Sequence, residues 1–139
     1  GDFPSSWKTI STLHNISLAR NLSFNPQLAS IFTADAFTSL RNLELGDTST
    51  SGELEHLSFS DQQELVTLSL PRTKIHGEIT TSLFKLPSIR HIDLSENALT
   101  GSLPREFNAA ARLESFRAMF CEFEGQLPPD MNEMENLVL

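Results

Sequence analysis

The sequence predicts an α/β solenoid, in which one parallel β-sheet of short strands is joined by turns and short helical segments. The first observation is a repeat, because the apolar anchors Leu65, Ile89 and Leu113 follow one another at intervals of 24 residues. The second is an apolar alternation with period two inside each unit, which is typical of a strand. The third is a glycine that recurs once per unit, where a turn is needed. A unit this short cannot bury its own apolar face, so stacked units must share one core.

Each unit begins with its strand and continues into a position that we call the ladder position. Leu68 and Leu70 illustrate the strand, since residues two apart point to the same side. Three residues after the second of these apolar residues comes a small side chain that can hydrogen-bond to the backbone of the turn. Such a bond is required because an inward polar group is otherwise costly to bury. The ladder residues are Asn21, Thr48, Thr73, Asn97 and Cys121.

The second half of each unit is predicted to turn at the glycine and to return along the outer side. Residues 61–65 and 106–112 have short helical character, and Ser60 with Gln63 matches a capping box. In the first unit Asn25 replaces the glycine, and asparagine is the best substitute for a turn with positive φ. About three additional residues follow, so 28–37 is predicted to form a longer loop or a short helix.

The unit from Leu86 to Pro104 resembles the plant-type leucine-rich repeat, whose hallmark is Leu-x-Gly-x-Leu-Pro after the asparagine. The resemblance covers nearly the whole chain and implies a right-handed solenoid with a concave parallel sheet, with loops and short 3₁₀ or α turns on the convex side. We expect residues 1–139 to form one leucine-rich repeat domain of about five full repeats, cut in mid-repeat at both ends, with 137–139 inside a further strand.

The resemblance implies that the variable strand positions on the concave face bind partners. Equivalent positions on neighbouring strands stack about 4.8 Å apart, so they form columns across the sheet. In one column, the charges of successive side chains alternate in sign. In two other columns, Arg90 adjoins Glu114 and Asp93 adjoins Arg117. These ion pairs are compatible with a surface whose charges pair only with one another, and equally with a surface that binds a partner. The candidate partner-binding residues are Arg20, Arg41, Glu44, Asp47, Arg72, Arg90, His91, Asp93, Glu96, Arg117, Met119 and Phe120.

The net charge of −8 argues against nucleic-acid binding, because phosphate would be repelled. The 25 variable strand positions carry five arginines and five acidic residues, so the surplus acidity lies on the turns, the outer side and the ends. No apolar run approaches the roughly 20 residues of a membrane-spanning helix. A single cysteine excludes an internal disulfide and a multi-cysteine zinc site.

No pattern indicates catalysis, a cofactor or a metal. His91 and Asp93 share a strand face, but no motif places a serine or cysteine nucleophile beside them. Cys121 is predicted to point inward as an inert thiol. The four histidines follow no metal-ligand spacing, and the glycines recur singly rather than in a phosphate-binding loop. We therefore predict that the protein is not an enzyme.

Two N-glycosylation sequons occur, at Asn15-Ile16-Ser17 and Asn21-Leu22-Ser23, a number that chance alone would give in a chain so rich in serine and threonine. Asn21 is a ladder residue and is expected to be inaccessible. Asn15 could carry a glycan on the concave face if the protein is secreted.

The leading hypothesis is a recognition module for a protein or peptide, part of a receptor-like extracellular ectodomain. Under this hypothesis we expect neighbouring repeats in a longer parent chain. We expect this segment to bind no nucleic acid and to make no contact with a membrane. Two alternatives stay open, namely a secreted inhibitor of a hydrolase and an intracellular scaffold.

Overall fold

The computed structural model describes residues 1–129, so the prediction for 137–139 lies outside the described residues. Short strands make up most of its regular structure, joined by four short helical segments. The strands are β1 Asn15–Ser17, β2 Asn42–Glu44, β3 Ser51–Glu53, β4 Thr67–Ser69, β5 Lys74–Gly77, β6 His91–Asp93, β7 Ala98–Leu99 and β8 Ser115–Arg117. The helical segments are α1 Ser5–Lys8, α2 Leu28–Ile31 and the 3₁₀ helices Thr81–Lys85 and Arg105–Ala109.

Five strands form one parallel sheet in the order β1-β2-β4-β6-β8. Its register aligns the central residues Ile16, Leu43, Leu68, Ile92 and Phe116, all of which are buried. Because strand side chains alternate, the residues on either side of this apolar row face away from the core. We call that outward side the open face; it is the side that the resemblance identifies as concave. The predicted fold class, a parallel sheet with short helical turns, is confirmed.

A second parallel sheet, β3-β5-β7, was not predicted from the sequence. Its strands occupy the segments around the repeated glycine, where we expected only a turn and an extended connection. Ile75 in β5 and Leu99 in β7 are buried, while their neighbours are exposed or half-buried. One apolar residue per strand is too short an alternation to reveal a strand, and glycine is disfavoured in strand interiors.

The connecting segments agree with the sequence in two places and differ from it in two. The additional residues of the first repeat include α2, whose Leu28 and Ile31 are fully buried, and a 3₁₀ helix covers Arg105–Ala109. Residues 61–65, however, form turns, and the Gln63 amide donates to the Ser60 carbonyl oxygen at 2.5 Å instead of capping a helix. The predicted positive φ at Asn25 is also wrong, because its segment runs into the bridge between Gln27 and Ser51.

Aromatic side chains fill the core between repeats. Phe107 lies 4.9 Å from Phe84 and 5.0 Å from Phe116 between ring centroids. At the other end, Phe3 packs edge-on against Phe24 and Phe37 at 5.0 and 5.5 Å. One apolar cluster therefore runs through the stack. Among residues 1–129, no helix has the length and apolar character needed to cross a membrane.

Candidate functional site

A groove of about 380 Å³ lies on the open face. It crosses β2, β4, β6 and β8, and it brings together four of the predicted residues, Glu44, His91, Asp93 and Arg117. Thr67, Ser69 and Ser115 also line it, although our candidate set omitted them. The period-two alternation already placed these hydroxyl residues beside the charged ones, but we selected charge and aromaticity over small polar side chains. Leu68 and Ile92 complete the lining.

Three residues after the end of each strand of the large sheet, the chain bends at a residue with positive φ that is not glycine. Arg20, Asp47, Arg72, Glu96 and Phe120 have φ between 50° and 64°, and they make up one predicted column. Hydrogen bonds between repeats hold the bend, since the Asp47 amide donates to the Pro71 carbonyl at 2.9 Å and the Arg72 amide to the Ser95 carbonyl at 2.9 Å. This conformation is costly for residues other than glycine. The bend therefore aligns the five side chains along one edge of the open face.

Asp47, Arg72 and Glu96 form a chain of ion pairs in the middle of this column. Arg72 binds the Asp47 carboxylate in a bidentate manner, with Nε–Oδ1 at 2.5 Å and Nη2–Oδ2 at 2.8 Å, and its Nη1 lies 3.0 Å from Glu96 Oε1. The hydrogen bonds from Arg72 lower the pKa of Asp47, and the bonds to Asp47 and Glu96 raise the pKa of Arg72. Since Arg72 is half exposed, the chain orders the surface more than it stabilises the fold.

We expect removal of the Arg72 guanidinium to return the pKa of the Asp47 carboxyl upward, toward its ordinary 3.8. In the wild type, the ionised Asp47 carboxylate stabilises the folded state at pH values above 3.8, its ordinary pKa. This stability is lost as the pH falls through the lower pKa that Asp47 has in the folded state. The measurement is an NMR titration of the Asp47 carboxyl carbon in the wild type and in Arg72→Gln. Arg105→Gln, on the 3₁₀ helix Arg105–Ala109, is the control. An Asp47 pKa that is the same in Arg72→Gln as in the wild type would contradict the ion-pair assignment.

The other predicted columns are only partly paired. Arg90 forms an ion pair with Glu114, and His91 Nε2 lies 3.7 Å from the second Glu114 oxygen. Asp93 and Arg117 are register neighbours, but their side chains form no ion pair in the described structure. The Asp93 carboxylate instead accepts the Ser95 amide at 3.0 Å. Arg117 thus keeps an exposed guanidinium without a carboxylate partner among residues 1–129.

Three further candidates lie at the periphery of the groove. Arg41 forms an ion pair with Glu64 at 3.0 Å. Met119 and Phe120 are 58% and 84% exposed at the β8 end of the open face. Met119 also lines an apolar cleft of about 370 Å³ with Leu103 and Phe123.

The ladder residues bond to the backbone of the strand-to-turn connection. Thr48 Oγ1 donates to the Leu45 carbonyl at 2.7 Å, and Thr73 Oγ1 lies 3.2 Å from the Leu70 carbonyl oxygen. Asn21 makes equivalent bonds to the Leu18 and Ala19 carbonyls, but its side chain is exposed, so the expectation that it is inaccessible is wrong. The first repeat lies at one end of the described stack, and its ladder residue therefore has a neighbour on one side only.

Cys121 is partly buried, with Sγ 3.4 Å from the Leu94 carbonyl oxygen. Burial raises the pKa of its thiol, which lowers the fraction of nucleophilic thiolate at neutral pH. Glu53, Glu55 and His56 are the one group of metal-ligand type found within residues 1–129, and all three are exposed. His56 Nε2 lies 3.1 and 3.5 Å from the two carboxylates, so contacts within the group account for its clustering.

Together, the stacked strands, the ladder and the open face define a leucine-rich repeat stack. A sequence model of the family "Leucine Rich Repeat" matches residues 88–109. Phytosulfokine receptor 1 of Arabidopsis thaliana is 38% identical over 69 residues, which are 50% of this chain and 7% of the receptor. The chain thus spans a small part of the length of this relative.

Solved structures give the same result. The LRR ectodomain of the Arabidopsis thaliana receptor kinase GASSHO1/SCHENGEN3, in complex with CASPARIAN STRIP INTEGRITY FACTOR 2, superposes with a TM-score of 0.86 at 25% identity, over 99% of this chain and 16% of that one. The Arabidopsis receptor kinase HAESA, in complex with the peptide hormone IDA and the co-receptor SERK1, gives 0.82 at 25% identity, over 99% and 22%. The chain is therefore similar to the leucine-rich repeat ectodomains of plant receptor kinases, and the predicted resemblance is confirmed.

Proposed function

We propose that the open face binds a peptide or an extended protein segment, and that the chain is part of the extracellular ectodomain of a plant receptor-like protein. The observation that carries the proposal is the groove across β2, β4, β6 and β8. It is open, it is lined mostly by polar and charged side chains, and a row of buried apolar residues fixes the strands beneath it. The complex of HAESA with the peptide hormone IDA supports a peptide as the partner.

The charges along the groove favour a partner with both polar and acidic groups. Glu44 accepts a hydrogen bond from Ser17 at 2.9 Å, and Asp93 accepts one from the Ser95 amide. Arg117, by contrast, has no carboxylate partner in the described chain and offers guanidinium donors to a ligand. Exposed aromatic and arginine side chains contribute most to binding hot spots. Arg117 and Phe120 are accordingly the residues that we assign to the strongest contacts.

Peptide binding can be measured with a panel of synthetic plant secreted peptides that includes CASPARIAN STRIP INTEGRITY FACTOR 2 and IDA. We expect Arg117→Ala, Phe120→Ala and Arg72→Ala each to weaken binding of a panel member by about tenfold or more, because truncation of a hot-spot residue costs about 2 kcal/mol or more and about 1.4 kcal/mol corresponds to tenfold. The measurement is titration calorimetry of each variant with the peptide that the wild type binds most tightly.

Lys85→Ala is the matched control, because Lys85 is an exposed cation on the 3₁₀ helix Thr81–Lys85, away from the open face. Its Kd should equal that of the wild type. A peptide whose affinity falls on Lys85→Ala and is unchanged on Arg117→Ala would place the binding surface on the opposite side of the sheet and contradict the proposal.

A further inference from the structure

We infer that the groove on the open face selects an extended peptide that carries a cationic and an anionic side chain four residues apart. The inference rests on the proposed function, because it specifies the ligand of the same groove. Three charges that line the groove form no ion pair among residues 1–129. They are the carboxylates of Glu44 and Asp93 and the guanidinium of Arg117.

These three charges lie in one row that crosses the strands. The register of the sheet places Glu44 beside Ser69, Ser69 beside Asp93, and Asp93 beside Arg117. The row therefore carries a carboxylate on β2, a hydroxyl on β4, a carboxylate on β6 and a guanidinium on β8. The second row of the groove contains no carboxylate and no guanidinium, and it consists of Thr67, His91 and Ser115.

The hydrogen-bond partners of the two carboxylates are neutral. The Ser17 hydroxyl donates to Glu44 at 2.9 Å, and the Ser95 amide donates to Asp93 at 3.0 Å. A neutral donor leaves the charge of the carboxylate in place, so both groups still attract a cation. Several other charged groups of the open face have ionic partners, namely Arg72 with Asp47 and Glu96, Arg90 with Glu114, and Arg41 with Glu64. The groove thus presents charges of both signs to a ligand.

The distance between the ends of this row sets the spacing in the ligand. Glu44 and Arg117 are separated by three strand intervals of about 4.8 Å, which is about 14 Å. An extended peptide advances about 3.4 Å per residue, so four residues also span about 14 Å. Side chains four residues apart point to the same side of such a peptide. A separation of three or five residues would turn one of the two charges away from the sheet.

The ligand residue midway between the two charges faces β4 and β6. Ser69 and Asp93 lie there, and both are half-buried. Their oxygens accept hydrogen bonds, and the Asp93 charge repels an anion. A side chain with a hydrogen-bond donor is therefore favoured at the middle position. The selected pattern is cation-x-donor-x-anion, in either chain direction, because the charges of the groove fix the side chains and not the polarity of the peptide backbone.

The first test is a series of ten-residue serine-glycine peptides with blocked ends, each with one lysine and one aspartate separated by two to six residues. Both orders of the two charges are included, and serine occupies the middle position of the four-residue spacing. Affinity for the full chain is measured by NMR titration at low salt, where charge interactions are least screened. We expect the four-residue spacing to bind at least about threefold more tightly than spacings of three or five, because only there do both ion pairs form.

The second test reverses one charge of the groove at a time. Arg117→Glu should bind a peptide with lysine at both positions more tightly than the peptide with lysine and aspartate. Glu44→Lys should instead prefer aspartate at both positions. Such a gain of affinity cannot result from misfolding. Lys85→Glu reverses an exposed charge away from the open face and should keep the wild-type preference.

Affinity that does not depend on the spacing, or an Arg117→Glu variant that still prefers lysine with aspartate, would overturn the inference. The same holds if none of the serine-glycine peptides binds while a plant peptide of the panel does. In each of these cases, a panel peptide whose affinity falls on Arg117→Ala would still support the proposed function. If no substitution in the groove changes the affinity for any peptide of either set, both the inference and the proposed function are contradicted.

Discussion

Replacing Asn97 by alanine is expected to lower the free energy of unfolding by about 3 kcal/mol or more, because the buried amide serves several backbone groups at once. Asn97 is 7% exposed. Its nitrogen donates to the Leu70, Leu94 and Ser95 carbonyls at 2.8, 2.9 and 3.2 Å, and its oxygen accepts the Thr73 amide and hydroxyl at 3.1 and 2.8 Å. Alanine would leave these groups unpaired where water has little access.

Denaturant unfolding followed by circular dichroism measures this loss. Asn21→Ala is the matched control, since Asn21 occupies the same position of its repeat and bonds to the equivalent carbonyls but is exposed. Water can replace the lost bonds there, so we expect a loss below about 1 kcal/mol. Equal losses in the two variants would show that the ladder contributes through local turn geometry alone and not through burial.

This contrast shows what the sequence could and could not predict about the ladder. The spacing identified Asn21, Thr73 and Asn97 as equivalent positions, because the repeat fixes where each residue falls relative to its strand. Burial, however, depends on the repeats on both sides. Asn97 links its own turn to Thr73 of the preceding repeat, whereas Asn21 bonds only within its own repeat.

The second sheet and the positive-φ column show a different limit. Gly77 was expected to mark a turn, and it does end strand β5 with a positive φ of 83°; the strand that leads to it was not expected. The bend with positive φ that precedes it occurs at Arg72, a residue type that gives no local signal for this conformation. Hydrogen bonds from the neighbouring repeat impose that conformation, as the Arg72 amide bond to Ser95 illustrates. Tertiary contacts thus override local preference at the edge of the open face.

The candidate site could be predicted in outline because it follows from the strand alternation. Four groove residues were selected from the sequence, and the alternation already placed Thr67, Ser69 and Ser115 on the same face. The ion pairs were harder to predict from the sequence, because they depend on how far each side chain extends. Arg41 was expected on the open face, and the sequence did not indicate its ion pair with Glu64, which lies outside the variable strand positions. Arg117 was expected beside Asp93 and remains without an ionic partner in the described structure.

Phe107→Ala is expected to destabilise the chain by about 3–5 kcal/mol, the range for truncating a buried phenylalanine. The ring is fully buried on the 3₁₀ helix Arg105–Ala109 and contacts Phe84 of the preceding repeat and Phe116 of β8. Its removal would open a cavity between two repeats that the short helix cannot fill by relaxation. Thermal unfolding should show a lower Tm, and denaturant titration should give the free-energy difference.

Phe120→Ala is the matched control for this variant, because it removes the same side chain from a position that is 84% exposed. Little apolar surface is uncovered there, so the free energy of unfolding should stay within about 0.5 kcal/mol of the wild type. A loss as large as that of Phe107→Ala would mean that Phe120 is covered in the folded protein, which would remove it from the proposed binding surface. An unchanged stability combined with weakened peptide binding would instead separate the two roles of phenylalanine in this stack, because the loss of affinity could then not be attributed to unfolding.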